Sequence, residues 1–461
     1  MMDEPDQTGE DSGLVTAYDY AVTFRQRKHA LDATETAEDL RKRFCLKTPE
    51  TGRDGAEVIR DLIAAAEPGL VANTDPNFFA WVMGGSDITG VAADWLTSIW
   101  GQNSAIFQTS PAAAIAEEAV AAWLLDMLGL PSESSVGLVT GATMAGFVGL
   151  AAARGAVLSR AGFDIEKTGL QGAPLIHIFI CNDSHVSNYA ALRYLGFGED
   201  NLVRVPSDEQ GAMDATALRD AMAARQGPKI VVATAGHINS GAFDDFSELS
   251  RLCQHHDAWL HVDGAFGLWA RVLPEKNHLT QAIDLADSWS VDGHKWLQIP
   301  YDSGFAIVKD QQAHRKAMDI SADYLNHSLA DGRNPSEFNP ELSRRARGFA
   351  AWAVMQAKGR QGIIEAVRRH CECAAEFERS LLLNNRIQIC NRVDLNQLVL
   401  RVDDCDQKTA ALADYLNASF ATFVRTTIWK GKTMLRLSVI EKSTNKETMM
   451  DLKQRVLSFL G

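Results

Sequence analysis

The chain has 461 residues, 46% of them apolar and 23% charged, the balance of a globular protein that can bury a core without disulfides or metals. Its formal charge of −14 argues against nucleic acid as a main partner, because a phosphate backbone is held by a basic surface. Length alone implies several structural units, or one large α/β unit with attachments.

Residues 1–13 are acidic and polar, unlike a secretory or transit signal. Helical periodicity runs through Ala17–Phe44, Ala56–Ala65 and Ile88–Gln102, with a loop at Asn73–Asn77 carrying a proline and two asparagines. The most apolar stretch, Val136–Leu158, is interrupted by glycines, two threonines and Arg154. A membrane-spanning helix needs about 20 nearly uninterrupted apolar residues, so this stretch reads as a loop followed by a buried helix, and no membrane association is expected. From about Pro131 strand-length apolar runs alternate with amphipathic helical segments, the pattern of a parallel α/β sheet.

Strands are expected at Leu175–Cys181, Leu202–Val205, Ile230–Ala233, Trp259–Val262 and Ser303–Val308. Helices are expected at Ser187–Leu195, Asp214–Arg225 (with Asp214 as N-cap) and Ser247–His256. Beyond Glu337 come long helices, Arg344–Lys358 and Gly362–Leu382, then short strands such as Gln397–Val402 and Thr433–Val439. The expected organisation is a helical N-terminal segment over 1–110, a large α/β domain over 111–335 and a small α+β domain over 336–461. The seven cysteines form no CxxC pair, and Cys371 and Cys373 as a CxC on a helix are poor zinc geometry. They read as free thiols in a reducing, cytoplasmic setting. The histidines show no HExxH spacing, so no metal site is expected.

The chemistry is concentrated in two motifs, His261-Val262-Asp263-Gly264-Ala265-Phe266-Gly267 and Asp292-Gly293-His294-Lys295-Trp296. Asp263 ends an apolar strand, which places its carboxylate at the carboxyl edge of a parallel sheet, where α/β proteins bind ligands. A buried charge there needs a partner, and a protonated pyridine nitrogen is a suitable one, since that ion pair makes a pyridoxal ring an electron sink. Lys295 follows another strand, where a sheltered lysine can lose its proton and form a Schiff base. Singly, such an aspartate is as readily a helix cap and such a lysine a solvated charge. Together at this spacing, they point to pyridoxal chemistry.

These motifs, followed by Pro300-Tyr301-Asp302-Ser303-Gly304, resemble the group II pyridoxal-phosphate-dependent amino-acid decarboxylases, which include the aromatic-amino-acid, histidine and glutamate enzymes. The likeness runs from about Asn77 to Arg347, and more thinly to the C-terminus, through Phe78-Phe79, Gly84-Gly85, Ala92–Leu96, Ser110-Pro111-Ala112, Trp123-Leu124 and Met127–Pro131. It implies fold type I, the aspartate-aminotransferase-like α/β fold, with active sites at a homodimer interface. It also implies pyridoxal 5'-phosphate on Lys295, with Asp263 at the ring nitrogen. Ala142 and Thr143, in Thr140-Gly141-Ala142-Thr143 before a helix, would then hold the phosphate beside His294, where a helix N-terminus favours an anion. Asp292 departs from the asparagine that relatives often carry.

By the same resemblance His185 stacks on the ring, although the serine usual after it is Val186 here, and Thr234 matches a cofactor-site strand end. Arg436 stands where relatives bind the substrate carboxylate, a bidentate task for guanidinium. Trp81 and Phe107 match positions lining the substrate pocket of aromatic decarboxylases, and His237 reads as a buried structural histidine.

The tyrosine that animal and plant aromatic decarboxylases place on a mobile loop to protonate Cα is missing from Gly332–Asn339. Tyr324 matches a different position, and His185 is the alternative proton donor. The leading expectation is a decarboxylase releasing amine and CO₂ from an amino acid. The alternatives are oxidative deamination to an aldehyde or another Cα lyase reaction, and a cofactor-binding protein without turnover.

Overall fold

Aliphatic and β-branched runs too short for helices build two sheets, and the helices between them cover both. The structure, a computed structural model, describes residues 12–320, 332–418 and 421–461. Its N-terminal part is helical: α1 (Ser12–Phe24), α2 (Ala37–Phe44), α3 (Gly55–Ala66), α4 (Ile88–Trp100) and α5 (Pro111–Leu128). The stretch expected to be helical throughout Ala17–Phe44 is two helices, because Thr36 starts a new one by accepting the Asp39 N–H at 3.3 Å.

The α/β unit follows as β1 (Ser135–Val139), α6 (Ala142–Arg160), α7 (Ile165–Thr168), β2 (His177–Cys181), α8 (Val186–Tyr194), β3 (Leu202–Val205), α9 (Ala215–Ala223) and β4 (Lys229–Thr234). It continues with α10 (Phe246–His255), β5 (Trp259–Asp263), β6 (Ser288–Asp292), β7 (Gly304–Val308) and α11 (Gln311–Met318). Asp214 caps α9 as expected, its carboxylate accepting the N–H groups of Thr216 and Ala217. The seven strands order as β1-β7-β6-β5-β4-β2-β3. Strands β6 to β3 run parallel, whereas β7 is antiparallel to both of its neighbours. α6 is the one described helix long and apolar enough to cross a bilayer; it is a core helix, with Ala145, Val148, Leu150 and Leu158 fully buried.

The C-terminal part holds α12 (Arg347–Leu381), β8 (Ile387–Ile389), β9 (Gln397–Val402), α13 (Asp406–Ala418), β10 (Arg425–Trp429), β11 (Lys432–Ser438) and α14 (Lys446–Leu460). The two long helices expected here both form within this span, separated at Gly359, whose φ of 59° breaks the helical run. Strands β8 to β11 form an antiparallel sheet ordered β10-β11-β9-β8. Its hairpin reaches the large sheet's loops: Trp429 lies 5.3 Å from the His237 ring, and Arg436 bonds Asn239.

Candidate active site

The site is assembled from the carboxyl ends of the parallel strands. Register places Thr234 at the end of β4 opposite Asp263 at the end of β5, and Asp263 opposite Ser290 on β6. Asp292 ends β6, and the Thr140-Gly141 turn leads from β1 into α6. A Cβ at Gly304 would lie 2.4 Å from the Gly141 backbone, so only glycine lets β7 pass beneath that turn. Gly84, at φ +74°, approaches the Lys295 loop as closely: a Cβ there would stand 2.2 Å from the His294 carbonyl. These ends enclose a cavity of about 280 Å³ lined by Ala142, Thr143, His185, Thr234, Asp263, His294 and Lys295, among others. Seven of the predicted site residues therefore share one cavity.

Two carboxylates occupy it on different terms. Asp292 is 3% exposed and makes an ion pair with Lys295 Nζ at 2.9 Å; His294 Nε2 lies 3.3 Å from its other oxygen. That other oxygen also accepts the Ala142 N–H, at the start of α6, at 2.6 Å. Burial works to raise the Asp292 proton affinity, but Lys295, His294 and the Ala142 N–H outweigh it and hold the carboxyl below its ordinary range. Asp263, 6% exposed, has no cationic partner within ion-pair distance among the described residues. Its oxygens accept from Asn188 Nδ2 at 2.8 Å and from the Ala265 N–H at 3.2 Å.

His185 caps α8 at the cavity mouth, exposed on one side, and its Nδ1 accepts the Ser187 N–H at 3.3 Å. A backbone N–H can only donate, so the neutral ring carries its proton on Nε2. Burial lowers the His185 proton affinity, Asp263 opposes that shift, and Lys295 and Arg436 add to it. Arg436, on β11, is half-buried and donates to Asn239 Oδ1 at 3.2 Å, with no carboxylate within ion-pair distance among the described residues. His237 is 3% exposed, and burial brings its pKa down to about 4, in keeping with a structural histidine beside Ser240 and Trp429.

Trp81 and Phe107 do not line the cavity of this chain. Trp81, with φ +56°, is 43% exposed and clusters with Phe78 and Phe423 beneath Arg425. Phe107 is tied to the other side of the segment after the large sheet, its N–H bonded to Asn334 Oδ1 at 2.9 Å. Tyr324 lies outside the described residues. Sequence reasoning gave no role to Asn188, to Phe266 (whose ring is 5.7 Å from Lys295 Nζ) or to Asp244, which accepts the Thr234 N–H. Asp244 ends the Gly241-Ala242-Phe243-Asp244 run that follows Thr234 and resembles the family's pattern, and full burial raises its pKa to about 6.

The residues present fit pyridoxal phosphate. Among the described residues Thr234 Oγ1 is buried without a hydrogen-bond partner and Asp263 lacks a cation, while α6 begins at the opposite end of the cavity, its first N–H (Ala142) accepted by Asp292. Residues 38–403 match the family model described as the pyridoxal-dependent decarboxylase conserved domain. The chain belongs to this decarboxylase family. It is 27% identical to an aromatic-L-amino-acid decarboxylase of Bacillus atrophaeus, over 95% of this chain and 93% of that one.

Solved structures show the same fold for this decarboxylase. Oryza sativa TDC with PLP and tryptamine superposes with a TM-score of 0.91 at 22% identity, covering 100% of this chain and 98% of that one. Rhodiola rosea 4-hydroxyphenylacetaldehyde synthase gives a TM-score of 0.88 at 22% identity, covering 99% and 98%. The architecture is fold type I, as expected, with a mostly parallel seven-stranded sheet and a small antiparallel one. The enzyme is a lyase that uses pyridoxal 5'-phosphate to decarboxylate an amino acid.

Proposed function

We propose that this enzyme decarboxylates an aromatic L-amino acid, with Lys295 carrying the cofactor, Asp263 facing its ring nitrogen and Arg436 holding the substrate carboxylate. The observation that carries this reading is the joint opening of Asp263, Lys295 and His185 into one cavity, with the unpaired Arg436 close enough to influence His185. When bound, the cofactor supplies a conjugated ring that takes up the electron pair left as CO₂ departs. Ala142 and Thr143, at the first turn of α6, hold the phosphate with His294 beside them, and Thr234 supplies a free hydroxyl to the cofactor. His185 covers the ring and presents the Nε2 proton that Cα requires afterwards. The aromatic substrate class rests on the likeness to the Bacillus atrophaeus enzyme.

Trp81 and Phe107 belong to this reading as substrate contacts of an assembled homodimer. Such an assembly also covers apolar side chains left open in one chain: Leu14 at 51% exposure on α1, and Leu96 and Ile99 at 47% and 61% on α4. The seven free cysteines suit a cytoplasmic enzyme.

The test is a panel of L-amino acids assayed together for CO₂, amine, ammonia and peroxide. Equal amounts of amine and CO₂ from tryptophan, tyrosine or phenylalanine are expected, with none from Lys295→Ala. Ammonia and peroxide formed in step with CO₂ would replace this reading with oxidative deamination.

A further inference from the structure

Asn188 is a buried amide in the first turn of α8, 3% exposed, where an aliphatic residue would cost less to bury. Its Nδ2 donates to Asp263 Oδ2 at 2.8 Å and to Ser184 Oγ at 3.0 Å. Gly146 on α6 faces it: a Cβ there would lie 3.8 Å from Asn188 Oδ1 and 3.9 Å from His261 Nε2. His261 sits two residues before Asp263 on the same face of β5, fully buried, its Nδ1 2.8 Å from Ser288 Oγ. Asp263 is therefore held on one oxygen by a side chain and on the other by its own loop's Ala265 N–H. The lone pairs that remain are the ones available to the cavity.

We propose that Asn188 is a positioning residue: its amide fixes the Asp263 carboxylate and keeps the proton shared with the cofactor's ring nitrogen on that nitrogen. The inference rests on the assignment of Asp263 to the ring nitrogen. A hydrogen bond donated to a carboxylate favours the charged form. A carboxylate bonded by Asn188 competes less strongly for a proton held between it and a second base. It also cannot rotate away from the ring without breaking that bond. Both effects act in the same direction, toward a protonated ring and a stronger electron sink. Asn188 does not line the cavity, so its influence on the cofactor would pass through Asp263.

The experiment is nitrogen-15 NMR of the holoenzyme loaded with cofactor labelled at the ring nitrogen, across a pH series. Wild type is expected to resonate at the protonated position at every pH where it is folded. Asn188→Leu should shift the resonance toward the free-base position and make it pH-dependent. Its kcat should fall about 10-fold with little change in KM, the worth of one hydrogen bond to a charged group. Should leucine prevent folding, Asn188→Val removes the same amide in a smaller volume and carries the same expectation. A folded variant with the wild-type resonance at every pH, and only a lower melting temperature, overturns the proposal. Asp263→Asn in the same series separates the two levels. If it too leaves the resonance unmoved, the assignment of Asp263 is wrong, not merely the role of Asn188.

Discussion

Replacing Arg436 with methionine tests the site where its geometry is most specific. Methionine keeps an unbranched apolar stem, so packing against the hairpin is largely retained while the guanidinium is lost. In the native chain that guanidinium is half-buried, bonded to Asn239 Oδ1 at 3.2 Å, with burial lowering its proton affinity. A charge so placed gains by pairing with a carboxylate delivered by the substrate. Truncating one partner of a buried, hydrogen-bonded charge pair costs ~2–4 kcal/mol, or about 30-fold to 1,000-fold in kcat/KM. Arg436→Lys should fall between, because an ammonium cannot reproduce the two parallel bonds. The decisive assay is competition between an amino acid and its methyl ester, which carries an extra methyl group and lacks the carboxylate charge. Wild type should bind the acid far better, and Arg436→Met should bind both alike. If the variant still prefers the acid by the wild-type ratio, Arg436 is not the carboxylate anchor.

Asp263→Asn should retain bound cofactor, seen by its absorbance, while kcat drops ~10²–10³-fold, the scale of an electrostatic transition-state contact; a near-normal rate would refute the ring-nitrogen role. Leu96→Glu with Ile99→Glu, both exposed on α4, should shift the enzyme toward monomer in sedimentation, and an unchanged mass would remove that face from the interface. Acid should unfold the protein steeply. Burial lowers His237 and His261 to about 4 and His314 and His370 to about 3, all from 6.5, so each binds a proton only on unfolding. A depressed histidine contributes stability above its unfolded pKa that is lost as pH falls. Asp244, raised to about 6, opposes one of the four. Together these five groups give a slope on the order of 4 kcal/mol per pH unit between about pH 6 and 4, and a flat melting temperature over that range would contradict it.

Strands were legible where their apolar runs are strand-length and bounded by turn residues: Leu202–Val205 in the parallel sheet and Gln397–Val402 in the antiparallel one hold to the residue. β1 was not, since a strand buried on both faces reads as an unbroken apolar run that merges into the helix after it. The antiparallel setting of β7 leaves no local signature, because direction is fixed by partners across the sheet. Within the site, Asp263 and Lys295 stood out through their flanking motifs. Asn188 did not, because its partner is 75 residues away and nothing around it in the chain marks an amide as bonded to a carboxylate. Trp81 was legible as a matching aromatic but not in its place, which Phe78, Phe423 and a positive φ determine.

Two aspartates at the ends of adjacent strands thus have the same chemistry and opposite circumstances. Asp292 is bonded by a lysine, a histidine and a helix N–H, so its burial is already compensated inside the chain. Among the described residues Asp263 is bonded only by neutral amides, which orient a carboxylate without neutralising it. Burying such a charge is tolerable where a cation completes it, and the cavity in front of Asp263 is where that cation belongs. At the other end, the N–H that α6 offers an anion is the one Asp292 accepts, so the phosphate meets a resident carboxylate there. His294 and Lys295 lie against that carboxylate and offset it. The cavity therefore distinguishes its two ends by charge before any substrate enters: one end lacks a cation, and the other supplies cations and a helix terminus. On the proposed assignment, a cofactor with a basic ring nitrogen would set that nitrogen toward Asp263 and its phosphate toward the start of α6, with Lys295 in reach of its carbonyl.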